Sequence, residues 1–319
     1  MVVVVTVTTT LLLTRDGSNG SNSPIASPPP STSVDAADIA SADDHGPVGI
    51  ITEDPSCAAW TPIGDTLAQQ QAKGWNNRDP NVPASDWTAD QRRQHLDVAD
   101  AMLSTADQTV ALAKLTPHRA VRELYEQSIA YWRAYANRIP DYTPRDDHLA
   151  RVATSTSNAL VWICSAITFK SAEARKPFVI DAPPPLQVSP VEDPSNPSPF
   201  MNDRLPVCED WQSTAAQFGH ATSEWLGIDP DLSASQWTPE QQAINVAATV
   251  TMRSNANQLQ DLGIRSGNPI FQDFATLAAQ YRRAYASALP SYTPADNYLA
   301  SVASQLVAAN AEACKAATG

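Results

Sequence analysis

Glycine is scarce, with 11 in 319 residues. Neither a Gly-rich loop that could cradle phosphate nor a GxSxG nucleophile turn can be found among them, which excludes nucleotide-binding and serine-hydrolase frames of the usual kind. Basic residues are also few, 21 against 34 acidic, for a net charge of -13. They form no stripe, and a nucleic-acid partner would need its phosphates met by clustered Lys and Arg. The four cysteines include no CxxC, and the five histidines (His45, His95, His118, His148, His220) do not recur in any repeated spacing. That excludes a zinc site, and no cofactor of any kind is implied. Period-two alternation of apolar residues is missing, so no sheet is expected.

What the chain has instead is a duplication. CAAW at Cys57 returns as CEDW at Cys208, and Trp75, Asp79, Pro80, Ser85, Trp87 and Thr88 return as Trp225, Asp229, Pro230, Ser235, Trp237 and Thr238. From there an offset of 150 holds to the end: YWRAYA at Tyr131 matches YRRAYA at Tyr281, PDYTPRD at Pro140 matches PSYTPAD at Pro290, and Cys164 matches Cys314. Agreement over this length marks two copies of one structural unit.

Prolines, 26 in all, mark the segments outside the copies: 5 fall in residues 1–51 and 9 in 171–206. Residues 1–14 begin MVVVVTVTTTLLL, too short to span a bilayer at about 20 residues per crossing and without a basic flank. The segment reads as the outer part of a membrane anchor or a signal segment, with a buried or frayed strand as the alternative. Residues 15–51, rich in Ser, Pro, Asn and Asp, read as a disordered stalk. Residues 52–170 form the first helical module, 171–203 a Pro-rich linker that lets the modules move semi-independently, and 204–319 the second module.

Within each module the pattern is helical. Thr88 with Gln91 and Thr238 with Gln241 have the spacing of reciprocal N-caps, and Thr143-Pro144 and Thr293-Pro294 repeat a start signal with Asp146 and Asp296 in the first turn. Three-four spacing along Leu96, Ala99, Leu103, Ala106, Val110 and Ala113, and along similar series after it, predicts helices over 55–74, 88–115, 118–139 and 144–167. The fold class expected is all-α: two tandem antiparallel four-helix bundles joined by the linker. Cys57 and Cys164 then lie at adjoining ends of the first and fourth helices, as do Cys208 and Cys314. Each pair is expected to form a disulfide, buried free thiols being the alternative, and disulfides place the modules outside the cytoplasm.

The polar residues that recur are Tyr131, Arg133, Tyr135 and Tyr142, matched by Tyr281, Arg283, Tyr285 and Tyr292. Arg133 and Asp146 read as a lock on the corner between the third and fourth helices, with Tyr142 packed over the turn. The same Tyr and Arg side chains could instead anchor a ligand or partner. Trp60, Trp75 and Trp87 with their equivalents read as core residues, with an exposed sugar- or lipid-binding patch as the alternative. Asp146-Asp147 and Asp229-Pro-Asp231 are adjacent carboxylates whose place in turns explains them better than acid-base chemistry, so no catalytic residue is assigned. In the second copy Asn245, Asn255, Asn257, Gln258 and Gln260 interrupt the apolar stripe of the second helix.

A short anchor, a Ser/Pro stalk and Ala-rich helices carrying CxxW, WTxEQ-like, YxRAYA and YTPxD elements resemble the uncharacterised membrane-anchored exported proteins of mycobacterial-type actinobacterial envelopes. The resemblance covers both modules and implies location and fold, with no activity to carry over. The expected function is a non-enzymatic binding or scaffold protein on the outer face of the cell membrane. Its partner would be an envelope protein, lipid or glycan, and the alternative is a small-ligand carrier or enzyme using a cavity in one bundle.

Overall fold

Reciprocal capping starts the two longest helices. The Gln91 amide N–H donates to Thr88 Oγ1 at 3.2 Å while Gln91 Oε1 accepts from the Thr88 N–H at 2.9 Å, and Thr238 with Gln241 repeats both bonds. Each such cap is worth about 1 kcal/mol. The computed structural model describes residues 38–317, and among these it has ten α-helices and no strand. The first copy contributes α1 (Cys57–Gln71), α2 (Ala89–Leu115), α3 (Arg119–Arg138), α4 (Asp147–Thr168) and α5 (Ser171–Arg175). The second contributes α6 (Cys208–Ala221), α7 (Ser223–Leu226), α8 (Pro239–Arg265), α9 (Pro269–Ala288) and α10 (Asn297–Ala316). The YTPxD elements form single 3-10 turns, Pro144–Asp146 and Pro294–Asp296, each closed by its own capping box, so α4 and α10 begin three residues later than the proline signal suggests.

The apolar face of α2 is not the one its leucines suggest. Leu96 and Leu103 are 46% and 37% exposed, while His95, Val98, Ala99, Met102, Ala106, Leu112 and Ala113 are buried. Ala99, Ala106 and Ala113, spaced by sevens, let neighbouring backbones approach closely, and that seam outweighs the larger side chains beside it.

In each copy the helices neighbour one another in chain order, and the first also meets the last: α1 with α2 and α4, and α6 with α8 and α10. Cys57–Cys164 and Cys208–Cys314 are disulfide-bonded, with Cα separations of 5.4 and 5.6 Å. The copies do not stand apart as separate bundles. α4 packs along α10, α3 touches α9, and one continuous core runs through both. The contact is isologous: Trp162 stacks on Tyr298 at 5.9 Å, while the residues equivalent to them, Glu312 and His148, meet at 2.7 Å. A residue of one copy therefore meets the counterpart of its partner's position, the geometry of a two-fold dimer within one chain. An Ala-rich fourth helix cannot remain half exposed when it carries Trp162 and Tyr298, and burying such aromatics against each other yields several kcal/mol.

The segments before each copy also pack. The anchor reading, residues 1–14, lies outside the described residues, as does the stalk reading up to residue 37. From residue 38 the stalk reading is corrected: Ile39, Ser41, Val48, Ile50 and Ile51 are buried. The Ile51 N–H donates to the Tyr281 hydroxyl at 3.3 Å, across the copies. The equivalent stretch of the linker does the reverse. The Phe200 ring lies edge-on to Tyr131 in the first copy at 6.1 Å and to Phe274 in the second at 5.6 Å, and Gln127 is bonded to Ser198 and Phe200. The linker between the copies is thus partly a docked strap, because its apolar residues have a groove between α3 and α9 to fill. Elsewhere the linker is open to solvent, with Ile180 90% and Leu186 97% exposed. A protease cut near Leu186 should give two fragments on a denaturing gel that still co-elute as one species by native size exclusion. Elution as two species would show that the copies separate once the strap is cut.

Candidate functional site

The duplicated tyrosines are core residues. Tyr142 donates its hydroxyl to the Pro80 carbonyl at 2.8 Å and stacks on Trp87, and Tyr292 does the same with Pro230 and Trp237. Trp75 Nε1 donates to the Tyr135 hydroxyl at 3.1 Å, and Trp225 lies edge-on to Tyr285. These contacts pin the loop between the first and second helices of each copy onto the corner between the third and fourth. Trp60, Trp75, Trp87, Trp211 and Trp237 are buried and Trp225 is packed against the core. Burial raises the hydroxyls of Tyr131, Tyr142, Tyr281, Tyr285 and Tyr292 well above the ordinary tyrosine range, and that of Tyr135 to about 12.

The two arginines of the set lie elsewhere. Arg133 does not reach Asp146. It pairs with Asp107 on α2 at 2.7 Å and donates to the Ser195 carbonyl of the strap at 2.5 Å. The corner is held instead by Arg78 on Asp147 at 2.5 Å, and in the second copy by Arg175 on Asp296 at 2.8 Å. Helical phase is the reason: Arg133 and Arg138 are about 140° apart around α3, and only Arg138 faces the corner.

Between the copies lies a buried charge cluster that sequence reasoning missed. Arg119 Nε donates to Asp273 Oδ2 at 2.6 Å with both side chains 2% exposed, and the Arg119 backbone N–H donates to Asp44. Beside it Arg122 grips Glu126 through both carboxylate oxygens at 2.9 Å and donates to Ser41. Glu123, the counterpart of Asp273, is fully enclosed. Burial first, then the Asp273 charge, holds its carboxyl well above the carboxylate range, and neither carboxyl oxygen has a hydrogen-bond partner among the described residues. Burial likewise lifts Glu126 to about 7 despite its guanidinium partner.

Both glutamates are raised above their unfolded values. Their contribution to stability is therefore complete below about pH 4.3, the unfolded value, and declines as pH rises through the folded values, for Glu126 through about 7. Glu123→Gln, which keeps the shape and removes the ionisation, should raise the melting temperature at pH 8 and flatten its fall between pH 5 and 8. An unaltered pH profile would show that Glu123 does not titrate against the fold.

A cavity of about 570 Å³ opens between residues 178–183 of the linker and the α8–α9 face of the second copy. Arg253, Asn257, Gln260, Gln280 and Arg283 line it, with Asp181 on the linker wall. Arg283 donates to Gln260 Oε1 and Asn257 Oδ1, each at 2.8 Å, and burial with no carboxylate partner pulls its guanidinium down from the ordinary arginine value. Of these residues the recurring-residue pattern points to Arg283 alone. Asn257 and Gln260 are among the polar residues that interrupt the apolar stripe of the second helix, and Arg253 and Gln280 belong to neither pattern. Among the described residues no group of three His, Cys, Asp or Glu side chains is placed to hold a metal ion, and no single helix is long and apolar enough to cross a membrane.

The chain is 50% identical over 287 residues to an uncharacterised protein of Mycolicibacterium smegmatis (strain MKD8), a match covering 90% of this chain and 76% of that protein. No solved structure matches it. The family of mycobacterial ESX-1 associated proteins matches residues 39–318. That span runs from the first buried residue among those described, through both disulfide-closed copies and the strap between them, to the end of α10. With both copies covered as one unit, this chain belongs to the mycobacterial ESX-1 associated protein family.

Proposed function

We propose that the protein is a non-enzymatic binding or scaffold component of the mycobacterial envelope. In this reading it is held on the outer face of the membrane by its apolar N-terminal segment and serves ESX-1-type secretion. The observation that carries this reading is the pair of intramolecular disulfides, which form and persist in oxidising compartments and are rare in a reducing cytosol. Family membership supplies the link to secretion. The duplicated aromatic residues are spent on the core, so a partner surface is sought on the strap and the outer helix faces. The cavity beside the strap favours a second reading, a carrier of a small ligand, although it lies against one copy's surface and not inside a bundle.

The test is thiol trapping in intact mycobacterial cells followed by fractionation. The reading expects the full chain in the envelope fraction with no thiol reactive until a reductant is added. It also expects secretion-apparatus proteins to be captured when the tagged chain is pulled from detergent-solubilised envelope. Recovery in the cytosol with four alkylated cysteines would overturn it.

A further inference from the structure

At the cavity the two copies differ in chemistry, and the difference is directional. At the 150-residue offset, Leu103 of the first copy becomes Arg253, Asp107 becomes Asn257, Val110 becomes Gln260 and Ala130 becomes Gln280, while Arg133 stays arginine as Arg283. The first copy therefore has one arginine neutralised by one carboxylate, Arg133 with Asp107 at 2.7 Å. The second has two arginines and has lost that carboxylate, although its module is the more acidic overall, with 11 acidic and 6 basic residues in 203–319.

We propose that this cavity is an oxyanion site, taking a small organic carboxylate or phosphate between Arg253 and Arg283 above Gln280, with its apolar part against the linker wall.

Three further observations point the same way. Arg283 is held in place by two neutral amide oxygens, which orient a guanidinium without cancelling its charge, and its planar fork suits a carboxylate or phosphate. Arg253 makes no ion pair or hydrogen bond among the described residues, so its charge is also available. Gln280 is 1% exposed at the base of the cavity, and its amide nitrogen and oxygen are both without a partner. An unsatisfied buried amide is costly, and a polar ligand group reaching the base would give it the partner it lacks. The single acid on the wall, Asp181, directs its carboxylate toward Gly49 and pairs with neither arginine. Phe178 and Ile180 of the same wall are 70% and 90% exposed, apolar surface that a bound molecule would cover. A volume of 570 Å³ suits a small organic molecule.

The experiment is calorimetric titration of the full chain with inorganic phosphate and, separately, with acetate, at fixed ionic strength against chloride. Saturable binding of either probe is expected, and the probe that binds more tightly identifies the ligand class. Asn257→Asp restores the carboxylate that the first copy tolerates at this position, so the fold should survive while affinity falls at least tenfold. Arg283→Gln should lose as much, and Arg133→Gln in the first copy should bind like the parent. Circular dichroism melting confirms that each variant is folded. The site is disproved if neither probe saturates by about 20 mM, weaker than the millimolar range of a small-ion site. It is equally disproved if folded Asn257→Asp binds as well as the parent.

Discussion

Replacing Arg119 with methionine should lower the unfolding free energy by about 3–5 kcal/mol, the cost of leaving a buried charge without its partner. Asp273 and Arg119 belong to different copies and are equally enclosed, so the substitution strands a carboxylate at the junction. It also removes the donor that holds the Asp44 and Gly46 carbonyls of the N-terminal segment. Adding Asp273→Asn should recover part of the loss, because the stranded charge goes with it, and a double-mutant cycle in urea measures how much. Arg93, paired with Asp90 on the surface at 65% and 78% exposure, is the control, and its replacement should cost less than about 1 kcal/mol. A loss at Arg119 no larger than at Arg93 would mean that the junction is wet in solution.

Removing either disulfide, as Cys57→Ala with Cys164→Ala or Cys208→Ala with Cys314→Ala, should cost about 5 kcal/mol in the chain-entropy model. The bonds close loops of 107 and 106 residues. Two such losses together match the whole stability of an ordinary domain, roughly 5–15 kcal/mol, so the fully reduced chain should be largely unfolded at 37 °C. The first bond matters locally as well. α1 buries only Trp60 and Leu67 along its length, and without Cys57 its start is held by Trp60 against Tyr125 and Trp132 and by the Ser56–Tyr125 bond at 2.8 Å. Hydrogen exchange in the Cys57/Cys164 double variant should show α1 losing protection before α3. Uniform protection with less than about 1 kcal/mol lost would show that packing alone retains the helix.

Much of the local structure could be read from residue order. The capping pairs Thr88–Gln91 and Thr238–Gln241 are local reciprocal bonds, decided by residues three apart, and they start helices where their spacing implies. The pairing of Cys57 with Cys164 and Cys208 with Cys314 follows from equal spacing within a repeated helix order. The expectations that failed concern direction and docking. Which side of α2 faces inward depended on the alanine seam against its neighbours and not on Leu96 and Leu103. Arg133 found Asp107 and not Asp146 because helical phase turned it toward α2.

The sequence by itself determined the helices, their caps, the duplication and the disulfide pairs, since each rests on neighbours in the chain or on a spacing that repeats. Only the tertiary structure decided that the copies join through α4 and α10, that Ile51 and Phe200 bridge between them, and that Arg119, Glu123 and Asp273 share one buried cluster. It also decided that Arg253, Asn257, Gln260 and Gln280 line one cavity with Arg283. The reason is physical: these contacts join residues up to 230 positions apart, and no local preference or periodicity encodes which surfaces meet. That choice is made by the free energy of burying apolar faces once the helices exist, with the charges between them drawn in and required to pair.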